Sequence, residues 1–409
     1  MKTVYFLRAM AGHGASTFVS ENGLLSNSLS YDTFNNIFNS RSENNINRNP
    51  INSDAYFKKS NKLAYDSFML AFNHKSSFGE LIIIDALNYS YESFKKLADK
   101  SISIGYDVKV VDFKLEDFSF YLNRNKNREP IKQIDEVALG KIYGFFKNPL
   151  NSKNIIEKYG DFITPEQMLS DILISSEEVA ENNQVVANTY CFGDIHGCFD
   201  TLMKFDQDVG FNSVDNYIFL GDYIDRGDKC GEVYNFIVEN IDKENFTFLI
   251  GNHEKSINDH YRFKQDNYFS AKTKSKINKI GINDDLIIKT YDKMKSYKIS
   301  KIGNKKFIFS HGGVDFVPNR PELLTPSSYI FGSGCFNYNI DAAFSENHSE
   351  DDWFQVHGHR NINEYSCFTG IKKSISVECK VEFGGSLAVL KITPDGCFNG
   401  LYYSNDGID

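Results

Sequence analysis

The sequence predicts a two-domain α/β protein, and three observations carry that expectation. Residues 1–150 alternate short apolar runs with amphipathic stretches, the rhythm of βαβ units on a parallel sheet. Between Gly193 and His359, five short blocks each place Asp, Asn or His beside Gly, mostly at the end of an apolar run. A polar stretch over 151–186, with Pro165 and the acidic run Glu177-Glu178-Val179-Ala180-Glu181, reads as a linker with one or two short helices. With 409 residues, each half is long enough to bury its own core.

The N-terminal elements follow in order. Thr3 to Leu7 is a strand, followed by the Gly-rich turn Ala9-Met10-Ala11-Gly12-His13-Gly14-Ala15-Ser16-Thr17 and a helix. A second short strand precedes Tyr31-Asp32, and the Asn- and Ser-rich stretch from Asn35 to Asn61 reads as a loop. Glu80 to Asn88 is a buried strand ending in Asp85 and Asn88. Ser90 to Ile104 is an amphipathic helix, and Tyr106 to Phe113 is the next strand. A basic segment with Arg124 and Arg128 then leads into an apolar helix through Phe146.

The C-terminal half, 187–409, carries the chemistry. Its blocks are Gly193-Asp194-Ile195-His196-Gly197, Gly221-Asp222-Tyr223-Ile224-Asp225-Arg226-Gly227, Gly251-Asn252-His253-Glu254, His311-Gly312-Gly313 and Gly358-His359. Strands at 217–220, 246–250 and 306–310 deliver Asp222, Asn252 and His311 at their C-terminal ends, so several loops converge at one sheet edge. Oxygen and imidazole donors without thiolate suit a two-metal hydrolytic site that activates water. Asp194 and His196 are expected on the first metal, Asn252 and His311 on the second, with Asp222 bridging and His359 completing the first. Arg226 is a fork donor for two phosphate oxygens. His253 can protonate the leaving oxygen, with Asp225 holding that imidazole as a cation. Ser374–Glu378 and Ser386–Ile392 read as a closing hairpin through Phe383-Gly384-Gly385.

These ordered blocks resemble the phosphoprotein-phosphatase type of the calcineurin-like metallophosphoesterases, over roughly Val185 to Ile392. The resemblance implies an α/β sandwich and two divalent metals, manganese first, with iron, nickel or zinc as alternatives. It also places an Asp near the site where this chain has Glu378. Either a solvent-facing residue or a neighbour of the metals fits Glu378.

Residues 1–150 resemble the P-loop kinase domain of polynucleotide kinases. The resemblance implies phosphate and substrate binding by Gly12, Gly14, Ser16 and Thr17 in the turn, Asp32 as base, Asp85 and Asn88 after a central strand, and Arg124 and Arg128 as a lid, with ATP and Mg²⁺ as ligands. Ala15 stands where the P-loop lysine belongs, and Asn35 where an arginine follows the base. Losing both charges removes several kcal/mol of transition-state stabilisation, so this domain is expected to be an impaired or inactive kinase unless Lys2 or the lid compensates. Together the halves resemble the bifunctional kinase–phosphatases that heal nucleic-acid ends. The implied reaction is removal of a 3′-phosphate or 2′,3′-cyclic phosphate, on RNA ahead of DNA. A protein Ser/Thr phosphatase and a hydrolase of small nucleotides are the alternatives.

Composition bounds these readings. The net charge of −9 argues against generic nucleic-acid binding. The segment 255–306, however, holds fourteen Lys or Arg against five Asp, and reads as either a basic flap for a polyanion or a solvated helical insertion. No apolar stretch is long enough for a membrane span. Seven Cys without metal spacing suggest reduced thiols in a cytoplasmic protein, mostly filling the core. His260 and His348 read as surface histidines.

Overall fold

A computed structural model describes residues 2–38, 53–86, 91–128, 133–177, 187–264, 271–279, 281–360, 368 and 373–407. The chain divides into two compact units, Met1–Leu173 and Ile174–Asp409.

The first unit runs β1 (Thr3–Arg8), α1 (Ala15–Glu21), β2 (Ser28–Ser30), α2 (Tyr31–Phe38), α3 (Ser53–Ser77), β3 (Ile82–Asp85), α4 (Tyr91–Ser103), β4 (Asp107–Asp112), α5 (Phe118–Lys126), α6 (Glu136–Lys147), α7 (Pro149–Tyr159) and α8 (Pro165–Glu177). Its strands form one parallel sheet in the order β2-β3-β1-β4, with Val4 opposite Ile82 and Val108. Val4, Phe6, Ile82, Ile84, Val108 and Val110 pack against Phe68, Phe72 and Phe94, so the strands are apolar because helices cover them. The parallel sheet expected from the alternation is present.

Two expectations for this half need correction. The unit extends past residue 150: Ile155 of α7 enters its core, and Met168 and Ile172 of α8 are fully buried. Asn148 caps α7 by accepting the Leu150 N–H at 3.0 Å, with Pro149 in the first turn. The Asn-rich loop expected over 35–61 is instead helical at 35–38 and 53–61, because Phe68 and Phe72 of α3 supply an apolar face. Residues 39–52 and Asn88 lie outside the described residues.

The second unit continues β5 (Thr189–Phe192), α9 (Phe199–Asp208), β6 (Asn216–Phe219), α10 (Cys230–Asn240), β7 (Phe246–Phe248), α11 (Asn252–Phe263), α12 (Ala271–Lys279), α13 (Asp284–Lys293), β8 (Tyr297–Ile302), β9 (Lys305–Ser310), α14 (Pro326–Ile330), α15 (Ile340–Asn347), β10 (Trp353–His357), β11 (Ser374–Ser376), β12 (Ser386–Ile392) and β13 (Phe398–Ser404). Two sheets, β13-β12-β5-β6-β7 and β11-β10-β9-β8, face each other. Between them Cys191, Ile218, Leu220 and Leu249 meet Phe307, Phe309, Val356 and Ile375. On the outer face of the first sheet, Phe192, Phe219 and Phe248 stack across neighbouring strands, at 4.3 and 4.8 Å between ring centroids. Each such ring, fully buried, contributes roughly 2–3 kcal/mol.

The expected closing hairpin is not one. β11 pairs with β10 and β12 with β5, so the two strands enter different sheets. β12 runs antiparallel to both its neighbours, β5 and β13, and its hairpin is with β13. Nor does 255–306 stand off as a flap. Ile257, Tyr261, Ile277, Ile287 and Tyr291 of α11, α12 and α13 enter the core, while Lys279, Lys289 and Lys293 are exposed. His348 is buried, with Nδ1 at 2.6 Å from Asp351 Oδ2 and Nε2 accepting the Val317 N–H. Cys191, Cys198 and Cys230 are buried free thiols, but Cys379 is disulfide-bonded, so the expectation of reduced thiols throughout does not hold. Among the described residues no helix is long and apolar enough to cross a membrane.

Candidate metal centre

Strands β5, β6, β7, β9 and β10 end at a common edge, and the residues just beyond them carry Asp194, Asp222, Asn252, His311 and His359. The backbone there is forced. Five non-glycine residues of the site adopt the left-handed region: His196 (φ 47°), Asp222 (51°), Asp225 (71°), Arg226 (69°) and His359 (58°). Such conformations persist only where the surroundings over-determine them. Two glycines are required by close approach: a Cβ on Gly251 would lie 2.2 Å from Asp222 Oδ1, and one on Gly358 would lie 2.3 Å from Asp194 Oδ1.

The side chains form two clusters sharing Asp222, one with His196 and His253 and one with His311 and His359. In each, the donor atoms lie within 4.8 Å of one another. His196 Nε2 is 3.7 Å from Asp222 Oδ2. His311 Nε2 is 3.3 Å from Asp222 Oδ1 and 3.1 Å from Asn252 Oδ1. Backbone carbonyls fix the tautomers. His196 Nδ1 donates to Ile224 O at 3.0 Å and His311 Nδ1 to Leu220 O at 3.1 Å, leaving each Nε2 lone pair for a ligand. Asp194 lies against the second cluster, its Oδ1 receiving the His359 N–H at 3.3 Å and lying 3.8 Å from His311 Nδ1. One detail departs from the sequence expectation: the His359 imidazole belongs with His311, 4.9 Å between ring centroids, and thus with the second cluster rather than the first.

The electrostatics fit divalent cations. Burial, with Glu378 beside it, raises the Asp194 carboxyl well above the usual range. Burial likewise raises Glu378, which shares a hydrogen bond with Asp194. Burial opposes ionisation of Asp222, but His311, His196 and His253 around it outweigh that and hold it well below the usual range. Burial lowers His196 and pushes His359 down to about 3, so both are neutral donors. Glu382 Oε2 is buried with no hydrogen-bond partner among the described residues. Buried carboxylates in excess of cations, beside neutral imidazoles, are the donor set of a hard or borderline divalent metal.

Beside the second unit's two clusters lies a proton-handling group. His253 Nδ1 is 2.6 Å from Asp225 Oδ2, and its Nε2 faces Asp222 Oδ2 at 3.8 Å. Burial works against the imidazolium, but the Asp225 bond and the Asp222 charge prevail and raise His253 above its ordinary value. Arg226 is partly exposed and pairs with Glu382, its guanidinium 5.3 Å from the Phe383 ring centroid.

Three residues near the site were not singled out by sequence. Glu254 accepts the N–H groups of Asp222, Tyr223 and Gly251 at 2.8, 3.0 and 3.0 Å. Its position in the Gly-Asn-His-Glu block was the available signal. Glu382 and Thr273 carried none, since they arrive from segments outside the five blocks. Glu378, left open between two roles, is buried beside Asp194.

In the first unit, the kinase-like residues gather at the C-terminal edge of the sheet. Ser16 Oγ donates to Asp85 Oδ2 at 2.8 Å. Arg124 Nη1 donates to the carbonyls of Gly12 and His13, both at 3.2 Å, and lies 3.8 Å from the position of a Cβ on Gly14. Arg128 has Asp32 nearby, and its Nη1 is buried with no hydrogen-bond partner among the described residues. Thr17 is exposed on α1. Lys2 lies at the opposite end of β1, against Gly79, and does not replace the missing lysine.

Residues 187–386 match the family model of calcineurin-like phosphoesterases. A Caenorhabditis elegans protein of the serine/threonine-protein phosphatase type is 28% identical over 218 residues, 51% of this chain and 46% of its own length. The serine/threonine-protein phosphatase 2B catalytic subunit A2 of Saccharomyces cerevisiae is 29% identical over 138 residues, 33% of this chain and 20% of its own. The chain thus spans less than half the length of either relative. Among solved structures, one of diadenosine-tetraphosphatase type aligns at TM-score 0.40 with 17% identity, covering 54% of this chain and 96% of that one. A Saccharomyces cerevisiae protein serine/threonine phosphatase aligns at 0.38 with 14% identity, covering 61% and 94%. Residues 187–386 of this chain are a calcineurin-like metallophosphoesterase domain.

Proposed function

We propose that the chain is a binuclear metal-dependent phosphoesterase removing a 3′-phosphate or 2′,3′-cyclic phosphate from nucleic-acid ends, with Asp194, His196, Asp222, Asn252, His311 and His359 as ligands. The observation that carries the esterase reading is Asp222 shared between two imidazole clusters, in which backbone carbonyls engage Nδ1 of His196 and of His311 and leave each Nε2 toward Asp222. Bound divalent cations supply Lewis-acid charge that polarises a phosphoryl group and activates water. Asp222, held ionised, would be the donor common to both ions. Arg226 offers a planar fork to the non-bridging phosphate oxygens, with Glu382 keeping it at the rim until substrate competes for it. His253 holds a proton at Nδ1 toward Asp225 and presents Nε2 to the leaving oxygen.

The nucleic-acid reading is supported by what surrounds this group. The exposed Phe336 ring packs edge-on against His359 at 5.5 Å, and exposed Phe383 lies under Arg226, so the ligands are flanked by two rings able to stack on bases. The first unit adds a Gly turn at a parallel-sheet edge. There Arg124 donates to the carbonyls of Gly12 and His13, and Ala15 supplies no charge, so we infer a nucleotide- or end-binding domain that does not transfer phosphate. A second reading, protein phosphatase, is favoured by the serine/threonine-phosphatase relatives. A panel on Mn²⁺-loaded protein separates them: 3′-phosphate and 2′,3′-cyclic-phosphate RNA ends, a phosphopeptide and a dinucleoside polyphosphate. Preference for RNA ends supports the first reading, preference for the peptide the second, and preference for the small nucleotide overturns both. Transfer of labelled phosphate from ATP to a 5′-hydroxyl oligonucleotide would overturn the inactive-kinase inference.

A further inference from the structure

Helix α12 lies outside the five blocks, yet it grips the loop that carries Asp225 and Arg226. The Thr273 hydroxyl donates to Asp225 Oδ1. One turn on, Lys276 Nζ donates to Gly227 O and to Asp228 Oδ1, both at 2.9 Å. Positions three apart share one helix face, so these two residues form a single latch. Ile277, fully buried, anchors the helix in the core behind it.

The latch meets the most strained part of the loop. Asp225 and Arg226 are consecutive non-glycine residues at φ 71° and 69°. A local pair of this kind needs outside contacts to persist. The Gly227 N–H to His196 O bond at 2.8 Å is one such contact, and Thr273 and Lys276 of α12 supply more. Asp225 is buried, and both its oxygens are engaged, Oδ2 by His253 Nδ1 at 2.6 Å and Oδ1 by Thr273. A carboxylate fixed at both oxygens cannot rotate, so the imidazole plane and its tautomer are fixed with it.

We propose that Thr273 is a positioning residue for leaving-group protonation, acting through Asp225 on His253, and that α12 is therefore part of the phosphoesterase machinery rather than a surface insertion. The inference rests on the phosphoesterase reading above. A phosphate ester whose alcohol is a poor leaving group needs the proton in the transition state, whereas an aryl ester with a stabilised phenolate does not. Misplacing the donor therefore slows the first kind selectively.

The test compares wild type, Thr273→Val and Thr273→Ser, all Mn²⁺-loaded, on glycerol 2-phosphate and on 4-nitrophenyl phosphate, with metal content measured for each. Valine keeps the shape and removes the hydroxyl. We expect kcat for the alkyl ester to fall about 30-fold in Thr273→Val while the aryl ester changes less than about 3-fold, a modest share of the usual general-acid contribution. Serine restores the wild-type ratio. Should Thr273→Val not fold, Lys276→Met loosens the same latch and should give the same selective loss at about 3-fold, within the range of one hydrogen bond. Equal losses on both esters, or none on either, overturn the inference. Wild-type protein inactive on both esters would instead overturn the phosphoesterase reading itself.

Discussion

Glu254 Oε2 receives the backbone N–H of Asp222 at 2.8 Å, so the carboxylate of one motif sets the backbone on which the bridging residue of another stands. The same side chain takes the N–H of Tyr223 and of Gly251. Glu254→Gln presents an amide NH₂ to at least one of these donors and should destabilise the second unit by about 2 kcal/mol, the penalty of an unsatisfied buried group. Because Asp222 moves with its backbone, metal affinity should also fall, about tenfold or more. Thermal melts with and without Mn²⁺ read both effects.

Stability without metal should fall as pH rises. Burial raises Asp194 and Glu378, and burial with Asp222 nearby pushes Glu254 up to about 7. A carboxyl whose folded value lies above its unfolded value binds more protons when folded. Its stabilisation is therefore complete below the unfolded value and is lost as pH rises through the folded one. Asp222 acts in the opposite sense in acid, and His196 and His359, whose protonation burial disfavours, act in the opposite sense up to the unfolded histidine value of about 6.5. In a chelator, the melting temperature should drop from about pH 6.5 toward about pH 8, where the histidines no longer oppose the carboxyls, and Mn²⁺ should remove most of that slope. A rising or flat profile in chelator would count against the buried carboxyl cluster.

Arg226 and Glu382 form an ion pair in which the glutamate is buried and the arginine partly exposed. Removing the competitor should free the guanidinium for phosphate. Glu382→Gln is expected to tighten inhibition by inorganic phosphate about 3-fold, and Arg226→Ala to weaken it about tenfold, the usual span for one charge-assisted pair. Inhibition constants at one ionic strength decide this.

In the first unit, Arg8 is buried, pairs with Asp112 and lies 4.5 and 5.2 Å from the Phe146 and Phe162 ring centroids. Asp112→Ala leaves that guanidinium without its counter-charge and should cost about 3–5 kcal/mol. Hydrogen exchange at β1 and β4 of the full chain is the readout, since their amides should exchange faster while those of β5 and β6 do not.

Much of this was legible in the sequence where the signal was local. Ligands at the ends of apolar runs placed Asp194, Asp222, Asn252 and His311 at one edge, because a strand and the turn beyond it are decided by adjacent residues. Contacts between distant segments were not legible. Glu382 reaches Arg226 across 156 residues and Thr273 reaches Asp225 across 48. The grouping of His359 depended on how β10 packs beside β9, and the apparent hairpin at Ser374–Ile392 failed because alternation reports a strand's faces, not its sheet. The lysine-rich stretch looked detached because its charges outnumber the few apolar residues, Ile277, Ile287 and Tyr291, that hold it in the core.

The central claim is that Asp222 joins two metal sites. Metal content of wild type and Asp222→Asn, after Mn²⁺ loading and removal of free ion, tests it most directly, alongside hydrolysis of 4-nitrophenyl phosphate. The account predicts about two ions per chain in wild type and a loss of both metal and activity, by about a thousandfold or more in rate, in the variant. Wild-type metal content with retained hydrolysis in Asp222→Asn would contradict it.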